Sequence, residues 1–118
     1  MAKILIVDDA AFMRMKCMKL LTDNGYEVVE AETGAQAVEK YQAHKPDGVL
    51  LDITMPDMDG LEALKELRKI DPGARVAMVT AMGQQSIVME ALKSGASDFV
   101  VKPFDAERVL AAVGRLLN

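Results

Sequence analysis

The chain has 118 residues, of which 51% are hydrophobic and 27% charged, a balance that predicts one globular domain. Its net charge of −4 argues against nucleic-acid binding, which usually requires a basic patch. The one cysteine excludes an internal disulfide, and no run approaches the roughly 20 apolar residues of a membrane span. The apolar run near the start is short and meets two acids, unlike a signal peptide. We therefore expect a cytoplasmic protein. We also expect it to be a monomer.

Short apolar runs alternate with segments of helical spacing along the whole chain. The predicted strands cover residues 4–7, 28–29, 49–51, 76–79 and 99–101, and the predicted helices cover 11–24, 34–44, 60–70, 84–94 and 106–117. This alternation predicts an α/β fold, a doubly wound five-stranded parallel sheet of the (βα)5 type. The first, third, fourth and fifth runs are continuous and look central, whereas Val28-Val29, flanked by glutamates, looks like an edge strand.

Residues that favour helix ends support these boundaries. Thr33 and Gln36 have the spacing of a capping box, and so do Asp59 and Glu62. Asp105 can cap the last helix, and Gly25 and Gly95 stand where left-handed helix ends are expected. Pro72-Gly73 predicts a turn after the third helix.

Polar residues stand at the carboxyl ends of four predicted strands. They are Asp8-Asp9 after the first strand, Asp52 after the third, Thr80 after the fourth and Lys102-Pro103 after the fifth. In a parallel sheet these ends share one edge, where ligands bind. Asp52 follows three apolar residues, and a buried unpaired carboxylate costs several kcal/mol, so compensating charge is expected beside it.

The chemistry of these side chains predicts magnesium-assisted phosphoryl transfer. Three clustered carboxylates repel one another unless a cation is present, and oxygen ligands suit Mg²⁺. Asp52 is then placed as a nucleophile toward phosphorus, which gives an aspartyl phosphate. Lys102 and the metal would neutralise charge on the transferring group, and Thr80 would donate a hydrogen bond to its oxygens.

These segments, in this order and at strand ends, resemble the receiver domain of two-component response regulators. The resemblance covers the whole chain and rests on residues 8–14, 52–56, 81–85 and 99–104, which look most like the single-domain chemotaxis regulators. It implies a flavodoxin-like strand order, 2-1-3-4-5. It also implies a single receiver domain over residues 1–118 with no output domain, and the last predicted helix, one helix past strand five, fits that expectation.

The resemblance implies a role for each acid. Asp52 would accept phosphate from a histidine kinase, CheA-like in the chemotaxis case. Asp9 would bind Mg²⁺ directly, Asp8 largely through water, and Thr54 through its backbone carbonyl.

It also implies a switch. Lys102 would bridge to the phosphoryl group and would be placed by a cis peptide bond before Pro103, since such bonds are essentially confined to Xaa-Pro. Thr80 would move toward the phosphate, and Phe99 would turn inward with it. The family often has tyrosine at this position, so an output contact through a hydroxyl is excluded for Phe99.

The fourth predicted helix suggests an output surface. Ile87-Val88-Met89 span an arc of about 200°, wider than a core stripe needs. We expect Val88 to face outward beside Phe99, on the helix 4, strand 5, helix 5 face where chemotaxis regulators bind FliM-like flagellar motor switch proteins. Thr54 and Met82 stand where related proteins tune hydrolysis of the acyl phosphate. Neither is an acid or amide, so an auxiliary phosphatase is expected.

Three other interpretations stay open. The chain could be a phosphorelay carrier that passes phosphate to a histidine phosphotransfer protein, or a receiver cut from a longer regulator. It could also be a magnesium-dependent phosphohydrolase with an aspartyl-phosphate intermediate. Those enzymes usually have a second acid two residues after the nucleophile, where this chain has Thr54, and a cap insertion that is absent here.

Overall fold

The computed structural model describes residues 2–52, 60–80, 85–101 and 105–117, and these form alternating strands and helices. The strands are β1 (Lys3–Val7), β2 (Glu27–Ala31), β3 (Gly48–Asp52), β4 (Val76–Thr80) and β5 (Asp98–Val101). The helices are α1 (Ala11–Asp23), α2 (Gly34–His44), α3 (Gly60–Ile70), α4 (Gln85–Lys93) and α5 (Ala106–Leu117). None of the described helices is both long and apolar enough to cross a membrane.

The five strands form one parallel sheet in the order β2-β1-β3-β4-β5, which confirms the predicted fold class and the edge position of β2. The prediction that the fifth strand is central was wrong, because β5 pairs with β4 alone and forms the other edge. Its last residue, Val101, is 45% exposed, whereas Val100 is buried. An edge strand still packs one face against helices, so an apolar run does not by itself distinguish an edge strand from a central one.

Alternate residues of the central strands fill two separate cores, one on each face of the sheet. Leu5, Leu51 and Met78 point into a cluster completed by residues of α2, α3 and α4. Ile6 and Leu50 point to the opposite face, where residues of α1 and α5 cover them. Because side chains alternate along a strand, both faces of a covered parallel sheet need apolar residues, which explains the continuous runs.

The helix caps are partly as predicted. The Thr33 hydroxyl accepts a 3.0 Å hydrogen bond from the backbone N–H of Gln36, and the Asp105 carboxylate accepts one of 2.9 Å from Arg108 N–H. The Gln36 side chain does not complete the capping box, because its oxygen accepts from the N–H of Glu32, one residue before the cap. The second predicted box involves Asp59, which lies outside the described residues.

The predicted glycine turns are confirmed. Gly25 and Gly95 follow helices with φ of 89° and 106°, a region that side chains disfavour. After α3, the N–H of Ala74 donates to the Asp71 carbonyl at 2.9 Å and closes the turn at Pro72-Gly73. Each of these features returns the chain to the amino end of the next strand.

Candidate functional site

The register of the sheet brings the first and third strand ends together. Val7 on β1 is aligned with Leu51 on β3, so the residues that follow them, Asp8 and Asp52, lie side by side. The alignment of Asp52 with Val79 places the end of β4 beside the same point. Strand pairing therefore brings together three of the predicted positions, Asp8, Asp52 and Thr80, at one edge of the sheet.

Asp8, Asp9 and Asp52 form one acidic cluster. Each offers a carboxylate oxygen, and these oxygens all lie within 4.8 Å of one another. Asp8 and Asp52 are 7% and 6% exposed, whereas Asp9 is open to solvent. Hard oxygen ligands with one accessible side suit Mg²⁺, which retains several waters when protein carboxylates bind it. The residues present therefore fit a magnesium site.

Local hydrogen bonds fix the segment that carries Asp8 and Asp9. The Asp8 N–H donates to the Ala31 carbonyl of β2 at 3.1 Å, and the Asp8 carboxylate accepts from Ala10 N–H at 2.9 Å. The Arg14 guanidinium donates to the Asp8 carbonyl at 2.7 Å. Both faces of this strand end are thereby tied to neighbouring elements.

Sequence reasoning missed Arg14, which is buried with only 9% of its surface exposed. A signal was present in the spacing. Arg14 stands three, four and seven residues before Cys17, Met18 and Leu21, which all contribute to the core. A charged residue on the apolar stripe of a helix needs acidic or carbonyl partners nearby, and such a pattern points to a buried ion pair.

Thr80 and Phe99 lie on the two strands that follow β3 in the sheet, β4 and β5. Thr80 ends β4, is fully buried, and is aligned with Val101 of β5. Phe99 is partly buried and packs against the core that includes Leu51 and Met78. These positions are compatible with the switch predicted for the pair.

Several predicted site residues lie outside the described residues. They are Thr54, Met82, Lys102 and Pro103, together with the predicted cis peptide bond between the last two. Their assigned roles stay predictions.

The choice of Val88 as the outward residue of the fourth helix was wrong. Val88 is half-buried, on the same side of the helix as the fully buried Ala91 three residues later. Met89 and Leu92, also three residues apart, are 48% and 50% exposed and face outward. The three consecutive apolar residues indicate only how wide the apolar arc of α4 is. The packing of the helix in the fold decides which of them faces outward.

Comparison with known proteins agrees with this geometry. The family model of the response regulator receiver domain matches residues 4–114. The chain is 62% identical over 117 residues to the chemotaxis protein CheY of Bacillus subtilis (strain 168), covering 98% of each chain. It is 55% identical over 115 residues to the chemotaxis protein CheY of Thermotoga maritima, covering 97% of this chain and 96% of the relative.

A solved structure is similar throughout. A chain in the crystal structure of the CheX–CheY–BeF3–Mg²⁺ complex from Borrelia burgdorferi superposes with a TM-score of 0.95 at 38% identity. The match covers 99% of this chain and 90% of that one.

Proposed function

Because this chain belongs to the response regulator receiver domain family, we propose that it is a chemotaxis-type switch activated by phosphorylation of Asp52. The observation that carries the proposal is the acidic cluster, in which oxygens of Asp8, Asp9 and Asp52 lie within 4.8 Å of one another. Asp52 is buried, as Asp8 is, and it is the last residue of a central strand, with a hydroxyl-bearing residue ending the next strand.

The cluster would hold one Mg²⁺ ion. Asp9 is exposed and suited to direct ligation, while Asp8 is buried and would act largely through water. The Thr54 carbonyl would complete the protein ligands. Bound Mg²⁺ supplies positive charge that offsets the carboxylates and the incoming phosphoryl oxygens.

Phosphoryl transfer would proceed by attack of an Asp52 carboxylate oxygen on phosphorus. The new O–P bond forms as the N–P bond to the phosphohistidine of a CheA-like kinase breaks, and the imidazole nitrogen keeps the electron pair and takes up a proton. Lys102 would neutralise charge on the transferred group, and Thr80 would donate a hydrogen bond to it. The protein thereby promotes its own phosphorylation while it serves as a signalling switch rather than a turnover enzyme.

The output surface would be the exposed apolar face of α4 and edge strand β5. Met89, Leu92 and Val101 are each 45–50% exposed there, and apolar residues with polar surroundings favour protein partners. Movement of Thr80 toward the phosphoryl group would couple to Phe99 and change this face. Phosphorylation would shift the equilibrium between a preexisting inactive and a preexisting active conformation. The active conformation would bind a FliM-like motor switch protein.

Phosphorylation is tested with Mg²⁺ and a small acyl-phosphate donor. The wild-type chain is expected to gain one acid-stable, base-labile phosphoryl group by mass spectrometry. Asp52→Asn should gain none, and Asp23→Asn, which changes an exposed acid paired with Lys19 on α1, should behave as wild type. Retention of the phosphoryl group in Asp52→Asn would overturn the proposal.

The output is tested by binding of a FliM-like motor switch segment with and without phosphorylation. Met89→Ala is expected to weaken binding, whereas Met15→Ala, a comparably exposed methionine on α1, should not. Transfer of the label to a histidine phosphotransfer protein, without phosphorylation-dependent binding of the motor segment, would favour the phosphorelay alternative. An auxiliary phosphatase is tested as a further partner by measuring how fast the phosphoryl group on Asp52 is lost with and without a candidate phosphatase.

A further inference from the structure

Arg14 is a buried cation beside the acidic cluster that the proposed function leaves without a role. It lies in the first turn of α1, where its backbone N–H donates to the Ala10 carbonyl at 3.0 Å. Its side chain is only 10% exposed. Charged side chains are seldom buried to this extent unless every face of the group is paired.

The guanidinium uses three nitrogens on three different partners. Nη1 donates to the Asp8 carbonyl at 2.7 Å, Nε donates to the Glu30 carboxylate at 3.1 Å, and Nη2 donates to the Glu32 carboxylate at 3.3 Å. Glu30 lies on edge strand β2 and Glu32 directly follows that strand, whereas Asp8 belongs to the acidic cluster. Only a planar fork of donors can span such a set, and a lysine ammonium cannot reproduce it.

The contact falls on the part of the chain that orients two of the proposed metal ligands. The Asp8 N–H is tied to the Ala31 carbonyl of β2, and the Asp8 carboxylate is tied to Ala10 N–H. The Asp8 carbonyl lies between these two anchors, and its bond to Arg14 fixes the peptide plane that leads into Asp9. Without that bond the Asp8-Asp9 peptide would lose one of the contacts that orient it.

We propose that Arg14 is a positioning residue for the divalent-cation site, through its hydrogen bond to the Asp8 carbonyl, with Glu30 and Glu32 holding the guanidinium in place. The inference rests on the proposed function, because it takes the acidic cluster as the Mg²⁺ site. Arg14 itself does not touch the metal. Groups that orient metal ligands from behind commonly change metal affinity by about 10–100-fold when they are replaced.

The sign of the effect separates positioning from simple electrostatics. A positive charge beside three carboxylates opposes the binding of another cation, so loss of the charge alone would tighten Mg²⁺ binding. Loss of positioning would weaken it, because Asp8 and Asp9 would then have to be ordered when the ion binds. The two roles therefore predict opposite changes for a neutral substitution.

The test measures the Mg²⁺ dissociation constant of the intact chain by isothermal titration calorimetry, without a phosphodonor. We expect Arg14→Lys, which keeps the charge and loses the fork, and Arg14→Met, which loses both, each to raise the dissociation constant about tenfold. Arg68→Lys is the matched control, because the Arg68 guanidinium also donates to a backbone carbonyl, that of Ala74, at the opposite end of the sheet. It should bind Mg²⁺ as the wild type does.

A second readout is amide hydrogen exchange at Ala10, which should be faster in Arg14→Lys than in Arg68→Lys. Tighter Mg²⁺ binding by Arg14→Met, or unchanged binding by Arg14→Lys, would overturn the positioning role. If Arg14→Met does not fold, Arg14→Lys alone decides between the positioning role and the electrostatic role. Failure of the wild-type chain to bind Mg²⁺ is a different result, which would overturn the proposed function and the role of Arg14 with it.

Discussion

The Tyr41 hydroxyl donates a 2.8 Å hydrogen bond to the Asp71 carboxylate and so joins α2 to the turn after α3. Tyr41 is 6% exposed, and its ring belongs to the core that lies beneath α2 and α3. The other Asp71 oxygen accepts from Gly73 N–H at 2.9 Å. One carboxylate thereby organises the turn and anchors a buried phenol, at the end of the sheet opposite the acidic cluster.

We expect Tyr41→Phe to lower the free energy of unfolding by about 1 kcal/mol, the usual net contribution of one hydrogen bond. The loss stays near that value because Asp71 is partly exposed and can turn to water. Urea unfolding measures the change. Tyr26→Phe is the control, since the Tyr26 hydroxyl has no hydrogen-bond partner among the described residues and the substitution should be close to neutral. Equal losses in both variants would contradict a specific role for the pair.

The same pair predicts a pH dependence. Burial, followed by the Asp71 hydrogen bond, raises the pKa of Tyr41 to about 12. The Tyr41 hydrogen bond, followed by that of Gly73, lowers the pKa of Asp71 from its usual 3.8.

The lowered pKa of Asp71 stabilises the folded protein at a pH above the ordinary carboxyl pKa, and this stability is lost as the pH falls through the folded pKa. The raised pKa of Tyr41 stabilises the folded protein at a pH below about 10, and this stability is lost as the pH rises from about 10 to about 12. The difference in unfolding free energy between wild type and Tyr41→Phe should therefore be constant from about pH 5 to 9 and shrink on both sides of that range. A difference that grows in acid would contradict the assigned sign.

Gly95 and Gly25 offer a matched test of backbone strain and crowding. Both have positive φ, but a Cβ at Gly25 would meet no atom within 4 Å, whereas one at Gly95 would lie 2.5 Å from Arg68 Nε. Gly25→Ala should cost about 1–2 kcal/mol for the left-handed backbone alone. Gly95→Ala should cost about 1 kcal/mol more, because Arg68 must move and lose its bond to the Ala74 carbonyl. Urea unfolding would contradict this if the two variants were equally stable.

Removal of Mg²⁺ should destabilise the wild-type chain. At a concentration 100 times the dissociation constant, the ion should add about 2.7 kcal/mol to the free energy of unfolding. Asp52→Asn should be more stable than the wild type without Mg²⁺, since one of three mutually repelling charges is gone, and should gain less from the ion. Thermal unfolding with and without EDTA measures both. A wild-type stability that does not respond to Mg²⁺ would contradict the assigned site.

The acidic cluster was predictable because its members stand at strand ends. Once residues 4–7 and 49–51 are assigned as parallel strands, Asp8 and Asp52 must meet at one edge, and the structure confirms that their oxygens lie together with that of Asp9. The strand order came from the resemblance to a family. Arg14 was not predictable in the same way, because its partners Glu30 on β2 and Glu32 directly after it are distant in the chain, and their approach depends on how α1 packs beside β2.

The amino-acid sequence alone determined the alternation of strands and helices, most helix ends and the chemistry at the carboxyl ends of the strands. These follow from local periodicity, from the backbone preferences of residues such as Gly25 and Gly95, and from the position of each acid after an apolar run. Only the tertiary structure decided the edge position of β5, the outward direction of Met89 rather than Val88, and the burial of Arg14. Each depends on contacts between segments distant in the chain, and local pattern does not record which neighbour covers a given face.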